Sequence, residues 1–530
     1  MITAVLTLFS LNCSAALTEA PDGFTAVTTA DELAGVSADG SYILLADIDL
    51  SGTAFTPIGS TSSPFTGVFD GNGHKITGLD ITSDGSYTAL FAYCDAAEIK
   101  DLSVEGSSIT VISVSDVYAS VICAKAVNGT VITDCYTNAS VSVTSEGDVY
   151  ASGICAYADG TSITNSASAS SVTVTTSGGV VNIGGIASYL FADSKIEDCK
   201  NSGLLTGESA DELYVGGIVG TTKRDLNNTS RAKPTVKGSK NTADISIASD
   251  DNISISCAGI AAKAENLVIS ECMNTGNISA EAGLGATASG IAGYHSRNTL
   301  DKCANTGNIS AVSTAADAYA SGIIAEANVS SVTDCYNTGS IFAEGKQSSN
   351  SGGICGHCTQ IDSFETSYNT GSNLSLAGTS AGTLIGASAY NDTRASLYTL
   401  ESETHPAIGN REDTSAVTVL TSEQMASQDS FPGFDFDTVW YMSEDGSGPM
   451  LSIFKEAPTP VYGDVDGNGA VESNDTVTLA RYFAKWSGYT DIINEANSDL
   501  NGDGNIDSTD NIILARYFAK WSGYETLPIA

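Results

Sequence analysis

The stretch Cys272-Met-Asn-Thr-Gly-Asn-Ile-Ser is followed, after Ser289-Gly-Ile-Ala-Gly-Tyr, by a near copy of itself, Cys303-Ala-Asn-Thr-Gly-Asn-Ile-Ser. Two columns of residues repeat in this way along the chain, in steps of 31 to 33 residues with one longer step across the segment 221–232. The isoleucine column, usually preceded by glycine, is Ile122, Ile154, Ile186, Ile218, Ile260, Ile291, Ile323, Ile354 and Ile385; the cysteine or serine column is Cys135, Ser166, Cys199, Ser239, Cys272, Cys303, Cys335 and Ser367. The chain is therefore a repeat protein with one inserted loop.

The repeat unit has the composition and the periodicity of short strands. It is rich in Ser, Thr, Val, Ile and Gly, and segments such as Val141-Ser-Val-Thr and Val172-Thr-Val-Thr alternate apolar and polar residues. A unit of this size cannot bury its own apolar face and must stack on its neighbours. The sequence predicts a mainly β protein whose body is a parallel β-helix of about nine coils, roughly 45 Å long at about 4.8 Å per coil.

A third column, of asparagines, lies two residues after the cysteine or serine column. Asparagine tolerates the left-handed turn conformation, and side-chain amides in register can hydrogen-bond from coil to coil. We therefore expect an asparagine ladder at a turn of each coil. Its members are Asn201, Asn241, Asn274, Asn305, Asn337 and Asn369.

Charge and the N-terminal segment indicate where the protein works. The 530 residues include 62 acidic and 22 basic side chains, a formal charge of −40, which argues against nucleic acid or an anionic membrane as a partner. Residues 1–18 contain an apolar run followed by small residues, as a signal peptide does, although a basic region is lacking. No other stretch is long and apolar enough to span a membrane. We expect a secreted, extracellular protein.

The cysteines fall in repeat positions that other units fill with Ser, Ala, Val or Ile, which indicates small buried thiols and not a disulfide framework. Cys355-Gly-His-Cys358 is similar to the redox motif of disulfide isomerases. That motif needs a helix N-terminus to activate its thiolate, whereas this copy lies in a predicted repeat strand. We interpret it as part of the packing.

Both ends of the β-helix carry capping signals. Thr29 and Glu32 form a capping-box pattern for a short helix, and Thr421 and Gln424 form a second one, followed by an aromatic closing strand from Phe434. Such caps cover strand edges that would otherwise be exposed. The predicted organisation is an N-terminal cap with the first coils (24–120), the repeats (121–390), a C-terminal cap (391–454), a Pro linker (455–462) and a C-terminal module (463–530).

The segments Asp47-Ile-Asp-Leu, Phe69-Asp-Gly-Asn-Gly-His and Leu90-Phe, followed by the Gly-Ile and Cys-x-Asn-Thr-Gly repeats, resemble the GLUG-motif β-helix proteins of bacterial surfaces over residues 24–454. The resemblance implies an adhesin-like or carbohydrate-contacting shaft without catalytic residues. Ala261 and Ala325 stand where that motif usually has glycine.

An enzymatic shaft is the alternative, because β-helices also host polysaccharide lyases and glycoside hydrolases. A glycosidase needs two convergent carboxylates, and a lyase needs a basic residue beside a calcium site. The acidic residues that precede the cysteine column are expected on one outer face but are interrupted by other residues at Asn165, Gly238 and Lys302; they are Asp134, Asp198, Glu271 and Asp334. The four histidines, at 74, 295, 357 and 405, have no metal-ligand spacing. We predict no catalytic residues.

The C-terminal module contains two twelve-residue acidic loops that start 35 residues apart. Their oxygen-bearing residues follow the calcium-loop pattern, with Gly469 and Gly504 at the sharp turn. Mutual repulsion of the carboxylates should keep each loop open without the ion, so folding is expected to need two Ca²⁺ ions. The predicted ligands are Asp464, Asp466, Asn468, the Ala470 carbonyl, Glu472 and Asp475 in the first loop, and Asp499, Asn501, Asp503, the Asn505 carbonyl, Asp507 and Asp510 in the second.

Position 12 of both loops is aspartate, and the eleven residues from Leu479 are repeated verbatim from Leu514. With these features residues 461–530 resemble the type I dockerin module of cellulosomes. The resemblance implies a small all-α module of paired loop-helix motifs and a partner, the cohesin domain of a scaffoldin, bound through the helix that follows either loop. The implied recognition residues are Ser473, Asn474, Ala480, Arg481 and Lys485, with the counterparts Ser508, Thr509, Ala515, Arg516 and Lys520. Trp486 and Trp521 are expected to pack inside the module.

Overall fold

The computed structural model describes residues 16–528 except 224, 226–229, 250–251, 360–362, 377–379, 389–392, 403–404, 411–415, 456–460, 490–493, 502–504 and 525. The chain divides into two compact units, Met1–Ile453 and Phe454–Ala530. Most of the predicted signal peptide, including Cys13, lies outside the described residues. No helix in the described ranges is long and apolar enough to cross a membrane.

The first unit is a parallel β-solenoid, as predicted. Each coil contributes strands that pair in parallel with the same positions of the next coil, as Val149 pairs with Val181 and Val181 with Leu213. Sheet I has 27 described strands: Thr25–Val27, Ser41–Leu44, Ile48–Asp49, Val68–Asp70, Lys75–Thr77, Asp80–Ser83, Glu98–Lys100, Ser103–Ile112, Val131–Thr133, Tyr136–Ser145, Ser162–Thr164, Ala167–Ser168, Ser171–Thr176, Lys195–Glu197, Lys200–Asn201, Leu205–Glu208, Thr235–Lys237, Lys240–Asn241, Val268–Ser270, Met273–Asn274, Thr299–Asp301, Ala304–Asn305, Ser331–Thr333, Tyr336–Asn337, Ser363–Asn369, Thr393–Leu400 and Val417–Leu420.

Three further sheets complete the coils, and a two-stranded antiparallel sheet of Trp440–Met442 and Pro449–Leu451 follows them. Sheet II is Tyr87–Thr88, Val117–Ala119, Val149–Ser152, Val181–Gly184, Glu212–Gly216, Ser254–Ala258, Gly285–Ser289, Asp317–Ser321, Ser348–Gly352 and Ser380–Gly382. Sheet III is Phe91–Asp95, Cys123–Val127, Cys155–Asp159, Ala187–Leu190, Val219–Thr222, Ala261–Glu265, Ala292–Ser296, Ile324–Asn328, Cys355–Cys358 and Ile385–Ser388. Sheet IV is Ile245–Ser249, Ile278–Ala282, Ile309–Ser313, Ile341–Gly345 and Asn373–Leu376.

Sheets II and III each have ten described strands, one more than the nine coils that the isoleucine column predicted. The additional coil carries Ala89-Leu90 in place of the Gly-Ile pair, and its strand from Phe91 pairs with the strand from Cys123. Alternation places the apolar residues inside: Val141 and Val143 are buried, whereas Ser142 and Thr144 between and beside them are exposed. Every member of the isoleucine column is fully buried in the continuous core.

The asparagine column forms the predicted ladder. Five amides donate from Nδ2 to the Oδ1 of the asparagine in the next coil at 2.7–3.0 Å, and the sixth, Asn369, ends the ladder by donating to the carbonyl oxygen of Thr383; the members are Asn201, Asn241, Asn274, Asn305, Asn337 and Asn369. The same Nδ2 also donates to the carbonyl oxygen two residues later, as from Asn305 to Gly307 at 2.8 Å. These amides are buried, so each paired donor and acceptor avoids the free-energy cost of an unpaired polar group.

The prediction that these asparagines adopt the left-handed conformation is wrong, since none of them has a positive φ. Instead, a left-handed residue lies one position before each member of the cysteine or serine column, with φ between +42° and +61°: Asp134, Asn165, Asp198, Gly238, Glu271, Lys302, Asp334 and Thr366. Aspartate, asparagine and glycine tolerate this conformation best. The acidic residues that the sequence placed on one outer face are therefore turn residues of every second coil, and Asp134 accepts a hydrogen bond from Asn165 Nδ2, in the coil between, at 3.0 Å.

Where a coil carries a ladder asparagine, the glycine before its column isoleucine is required by the ladder. A Cβ atom on Gly290 would lie 2.3 Å from Cγ of Asn305 and 2.2 Å from the carbonyl oxygen of Gly322. The same close approach joins Gly185 to Asn201, Gly217 to Asn241, Gly259 to Asn274, Gly322 to Asn337 and Gly353 to Asn369. The glycine that precedes the column isoleucine and the asparagine of the ladder are thus the two partners of one contact.

The cysteines pack as predicted. Those of the cysteine or serine column are buried, and the Cys272 and Cys335 thiols donate to the carbonyl oxygens of Ser270 and Thr333 at 3.2 Å. Burial raises the pKa of the Cys272 thiol well above its ordinary value, because the thiolate would lose its hydration. The Sγ atoms of Cys355 and Cys358 lie 2.8 Å apart inside a strand of sheet III.

The inserted loop and the caps are anchored to the coils. Arg231 pairs with Asp159 and with Asp193 (Nε to Oδ2, 2.6 Å), so the described part of the insertion holds two preceding coils. Helix α1 (Ala30–Ala34) has the predicted capping box of Thr29 and Glu32, and helix α2 (Ser422–Met425) has the one of Thr421 and Gln424. A short 3₁₀ turn, Gln428–Ser430, follows α2. In the aromatic C-terminal cap Trp440 stacks on Phe434. A second 3₁₀ turn, Ser452–Phe454, ends the cap.

We expect Asn305→Ala to lower the free energy of unfolding by about 1–3 kcal/mol, because it leaves buried polar partners in both neighbouring coils unpaired. Gly290→Ala should lower it by about 1–3 kcal/mol, since the added methyl group has to displace the same amide. Urea unfolding followed by circular dichroism measures both changes.

Gly285→Ala is the matched control for Gly290→Ala. Its nearest neighbour to an added Cβ is Ser254 Oγ at 3.4 Å, an ordinary contact. We expect a change within about 0.5 kcal/mol. Equal destabilisation by the two glycine variants would contradict the role assigned to the ladder.

Candidate metal centre and docking helices

The first acidic loop brings three predicted ligands together. One carboxylate oxygen each from Asp464, Asp466 and Asp475 lies within 4.8 Å of the others. Asp464 and Asp475 are buried although both are acidic. A buried carboxylate needs compensation by hydrogen bonds, by a cation or by both.

Backbone amides hold the two buried carboxylates in place. Asp464 accepts hydrogen bonds from the backbone N–H of Asn468 at 3.0 Å and of Gly469 at 2.9 Å. Asp475 Oδ1 accepts from the N–H of Val465 at 2.8 Å, and its Oδ2 accepts from that of Glu472 at 2.8 Å. The loop is therefore wrapped around its own carboxylates.

The remaining predicted ligands of the first loop lie around this group. Asn468 Oδ1 accepts from the N–H of Ala470 at 2.9 Å, and the side chain of Glu472 is exposed. Glu472 is not among the three carboxylates that converge within 4.8 Å. Position 9 of such loops often reaches its ion through a water, which fits a more distant carboxylate.

The second loop repeats the geometry of the first where it is described. Asp510 is buried and accepts from the N–H of Leu500 at 2.7 Å and from that of Asp507 at 2.8 Å, the counterparts of the Asp475 contacts. Asp507 Oδ1 also accepts from the N–H of Thr509 at 2.6 Å. The predicted ligand Asp503 and the turn residue Gly504 lie outside the described residues. Asp499, Asn501 and Asn505 are described, and Asn505 is exposed.

The donor set fits a hard divalent cation. Carboxylate oxygens, an amide oxygen and a backbone carbonyl are the ligands that Ca²⁺ prefers. Three carboxylates this close repel one another in a partly buried site, and a doubly charged ion converts that repulsion into attraction. In the first loop Asp464, Asp466, Asn468 and Asp475, with the carbonyl of Ala470, would hold the ion.

Each loop leads directly into a helix. Helix α3 (Ser473–Phe483) follows the first loop and α5 (Ser508–Phe518) the second, and a short α4 (Glu495–Ser498) lies between them. The buried core of the unit contains apolar residues of both halves: Val465 and Leu479 from the first, and Leu500, Ile513 and Leu514 from the second. Loops and helices therefore share one small core, so metal binding and helix packing are coupled.

Eight of the ten residues implied in partner recognition are exposed on these helices and just beyond them: Ser473, Asn474, Ala480, Lys485, Ser508, Thr509, Ala515 and Lys520. Arg481 and Arg516 are only partly exposed because they contact rings of their own half. The guanidinium of Arg481 lies over Tyr489 at 4.9 Å, and that of Arg516 lies over Tyr524 at 5.1 Å.

Two features of this surface were missed at the sequence level. Val477 and Ile512 are 42% and 48% exposed, one turn after the Ser473 and Ser508 positions, so an apolar residue stands within each polar stripe. The sequence feature that could have revealed this pair is a β-branched residue at the same position of both halves. The expected burial of Trp486 and Trp521 is only partly correct, since each is 57% exposed while one ring face covers an arginine.

Comparison with known families agrees with this geometry. The sequence profile described as the dockerin type I domain matches residues 462–519. The C-terminal unit contains a type I dockerin domain. Type I dockerins bind calcium, and the domain implies a cohesin partner and an extracellular, cellulosome-type protein.

The comparisons add little about the solenoid. No curated protein matches the chain. Among solved structures, one described as a "putative immunoglobulin A1 protease from Bacteroides ovatus" is 15% identical, with a TM-score of 0.31, and the match covers 81% of this chain and 92% of that one. A likeness at this level carries no inference about activity, and the GLUG resemblance stays a prediction.

Calcium should stabilise the dockerin unit measurably. At a free concentration 100 times its Kd, one bound ion adds about 2.7 kcal/mol to the free energy of unfolding. For a domain of this size we expect the transition of the unit to rise by roughly 10–20 °C per site. Differential scanning calorimetry of the full chain in Ca²⁺ and in EDTA measures the shift, and the solenoid transition serves as the internal control. A dockerin transition that is the same in both buffers would contradict the metal site.

Proposed function

We propose that this protein is secreted and is carried on a scaffoldin by its dockerin unit, which binds a cohesin domain when each of its two loops holds a Ca²⁺ ion. The solenoid is the part that is carried. In this proposal the metal ligands are the six predicted residues of each loop, and the docking surface is the exposed stripe of α3 or of α5. The observation that carries the proposal is the matched pair of loop-helix halves.

The exposed stripes support a docking role for the two helices. Polar side chains at the start of each helix surround Val477 in one half and Ile512 in the other, and Lys485 or Lys520 lies at the far end. An apolar residue within a polar rim is the common anatomy of a protein interface. Because both halves carry such a surface, either helix can bind the partner. The two binding modes are similar and not identical, because the first helix starts with Ser473-Asn474 and the second with Ser508-Thr509.

For the solenoid we propose a non-catalytic role in contacting plant cell-wall polysaccharide or other cells. A polysaccharide lyase or glycoside hydrolase would need convergent carboxylates or a base beside a metal ion. The acidic residues that precede the cysteine column are fixed in left-handed turns, and Asp334 accepts a hydrogen bond from Trp440 Nε1 at 3.2 Å. Their positions are thus explained by the fold.

Asp464→Ala combined with Asp499→Ala should abolish calcium-dependent capture by immobilised cohesin, because each loop loses a first-position carboxylate. A cohesin panel in a pull-down or by surface plasmon resonance measures the loss. Binding that persists in the double variant in EDTA would overturn the proposal. Glu281→Ala with Glu444→Ala, which removes two exposed carboxylates elsewhere, should bind as the unmodified chain does.

Val477→Asp and Ile512→Asp test whether both helices can dock. Each residue is exposed, so the fold should tolerate the change. Either single variant should keep cohesin affinity within a few fold, whereas the double variant should lose at least about 100-fold, or about 2.7 kcal/mol. If one single variant loses binding and the other keeps it, only one of the two helices binds cohesin.

A further inference from the structure

Two columns of side chains run side by side along the solenoid, one on sheet II and one on sheet III, and most of their members are partly exposed. Strand pairing keeps each column in register from coil to coil. The sheet II column is Tyr87, Tyr118, Tyr150, Asn182, Tyr214, Ser256, Thr287, Tyr319 and Asn350. The sheet III column is Tyr93, Lys125, Tyr157, Tyr189, Thr221, Lys263, Tyr294, Glu326 and His357.

The two columns face each other across a groove. Ring centroids of Tyr118 and Tyr157 lie 5.7 Å apart, and those of Tyr150 and Tyr189 lie 5.6 Å apart, both edge to face. Within each column the rings stack, with 4.8 Å between Tyr118 and Tyr150 and 5.1 Å between Tyr157 and Tyr189. Over these coils the tyrosines fill the groove themselves.

The groove opens where Ser256 and Thr287 interrupt the sheet II column. A cavity of about 530 Å³ lies there, closed at its ends by Tyr214 and Tyr319 and flanked by Tyr294. Tyr214 and Tyr319 are three coil steps apart, or about 14 Å at the usual strand spacing. Leu284, at the rim, is 41% exposed. The cavity is therefore an elongated slot along the solenoid with aromatic walls and a floor of small residues.

Polar groups in the slot have fixed positions. Lys263 Nζ donates to Tyr214 Oη at 2.9 Å and lies 4.6 Å from the centre of that ring. Tyr319 Oη donates to Asp317 Oδ2 at 3.1 Å. Burial, reinforced by the charge of Asp317, raises the pKa of Glu326 above its ordinary value. The slot thus offers both donors and acceptors beside ring faces.

The charge of the slot discriminates between ligands. Its described lining residues include three carboxylates, Glu265, Asp317 and Glu326, and one ammonium, that of Lys263. An anionic ligand such as a uronate chain would meet unfavourable electrostatics there. Apolar ring faces with a few placed hydrogen-bonding groups favour a flat, uncharged ligand that carries hydroxyl groups.

We propose that this slot binds consecutive rings of a neutral saccharide chain that lies along the solenoid. Tyr214, Tyr294 and Tyr319 contact the apolar faces of the sugar rings, and the carboxylates with Lys263 bind their hydroxyl groups. The proposal deepens the polysaccharide-contacting role proposed for the solenoid and rests on it.

Thr287→Tyr tests the site by extending the tyrosine column into the slot. The fold should accept the ring, because elsewhere in the same column Tyr118 and Tyr150 occupy equivalent positions on adjacent coils and stack on each other. Full-length protein is run in native gels that contain arabinoxylan, glucomannan, mixed-linkage β-glucan or polygalacturonate. We expect at least one neutral polymer, and not polygalacturonate, to retard the protein, and Thr287→Tyr to weaken that retardation at least tenfold.

Thr173→Tyr, which adds a tyrosine at an exposed strand position outside the slot, is the matched control and should be retarded like the unmodified chain. Retardation of Thr287→Tyr equal to that of the unmodified chain would overturn the site while leaving the general polysaccharide role intact. Retardation by none of the four polymers would overturn both, whereas retardation most strongly by polygalacturonate would overturn the neutral-saccharide site and leave the general polysaccharide role intact. Cohesin binding by Thr287→Tyr should be unchanged, so failure of the dockerin proposal is visible separately.

Discussion

The solenoid depends on the close approach of a buried asparagine amide to a glycine backbone, repeated from coil to coil. The amide donates both to the next amide and to a carbonyl of its own turn, as Asn305 does to Asn337 and Gly307. This places the side chain where no Cβ fits on the facing residue, so glycine has to stand before the column isoleucine. Where the ladder is absent the requirement relaxes: the coil with Thr137 in the asparagine column has Val121 in the glycine column.

Because this contact fixes the register, every other position of a coil also stacks on its counterpart. Buried isoleucines and thiols continue the core without a break, and left-handed turn residues recur at the same place. The inserted loop does not disturb the stack: the strand pairing continues on both sides of it, as Lys195 pairs with Thr235, and Arg231 pairs with Asp159 and Asp193 on preceding coils. The two tyrosine columns are a further consequence, because residues one coil apart are held about 4.8 Å apart, a suitable spacing for ring stacking.

The dockerin unit depends on a different constraint, the burial of carboxylates. Asp464, Asp475 and Asp510 each accept two or more backbone N–H bonds, which orients them before any ion is bound. The hydrogen bonds compensate part of the desolvation cost, and the remaining repulsion is what a divalent cation relieves. Each loop ends in a helix that packs on the shared core, so the ion, the core and the docking surface are held together.

The sequence alone determined the solenoid, its ladder, its buried thiols, both capping boxes and the two acidic loops. These features are repeated locally, and a period of about 32 residues allows little choice of register once alternation is fixed. It did not determine which turn residue is left-handed, that Val477 and Ile512 are exposed, or that Ser256 and Thr287 open a slot between two tyrosine columns. Those outcomes depend on which side chains from different coils and different sheets face one another, and only the tertiary structure brings them together.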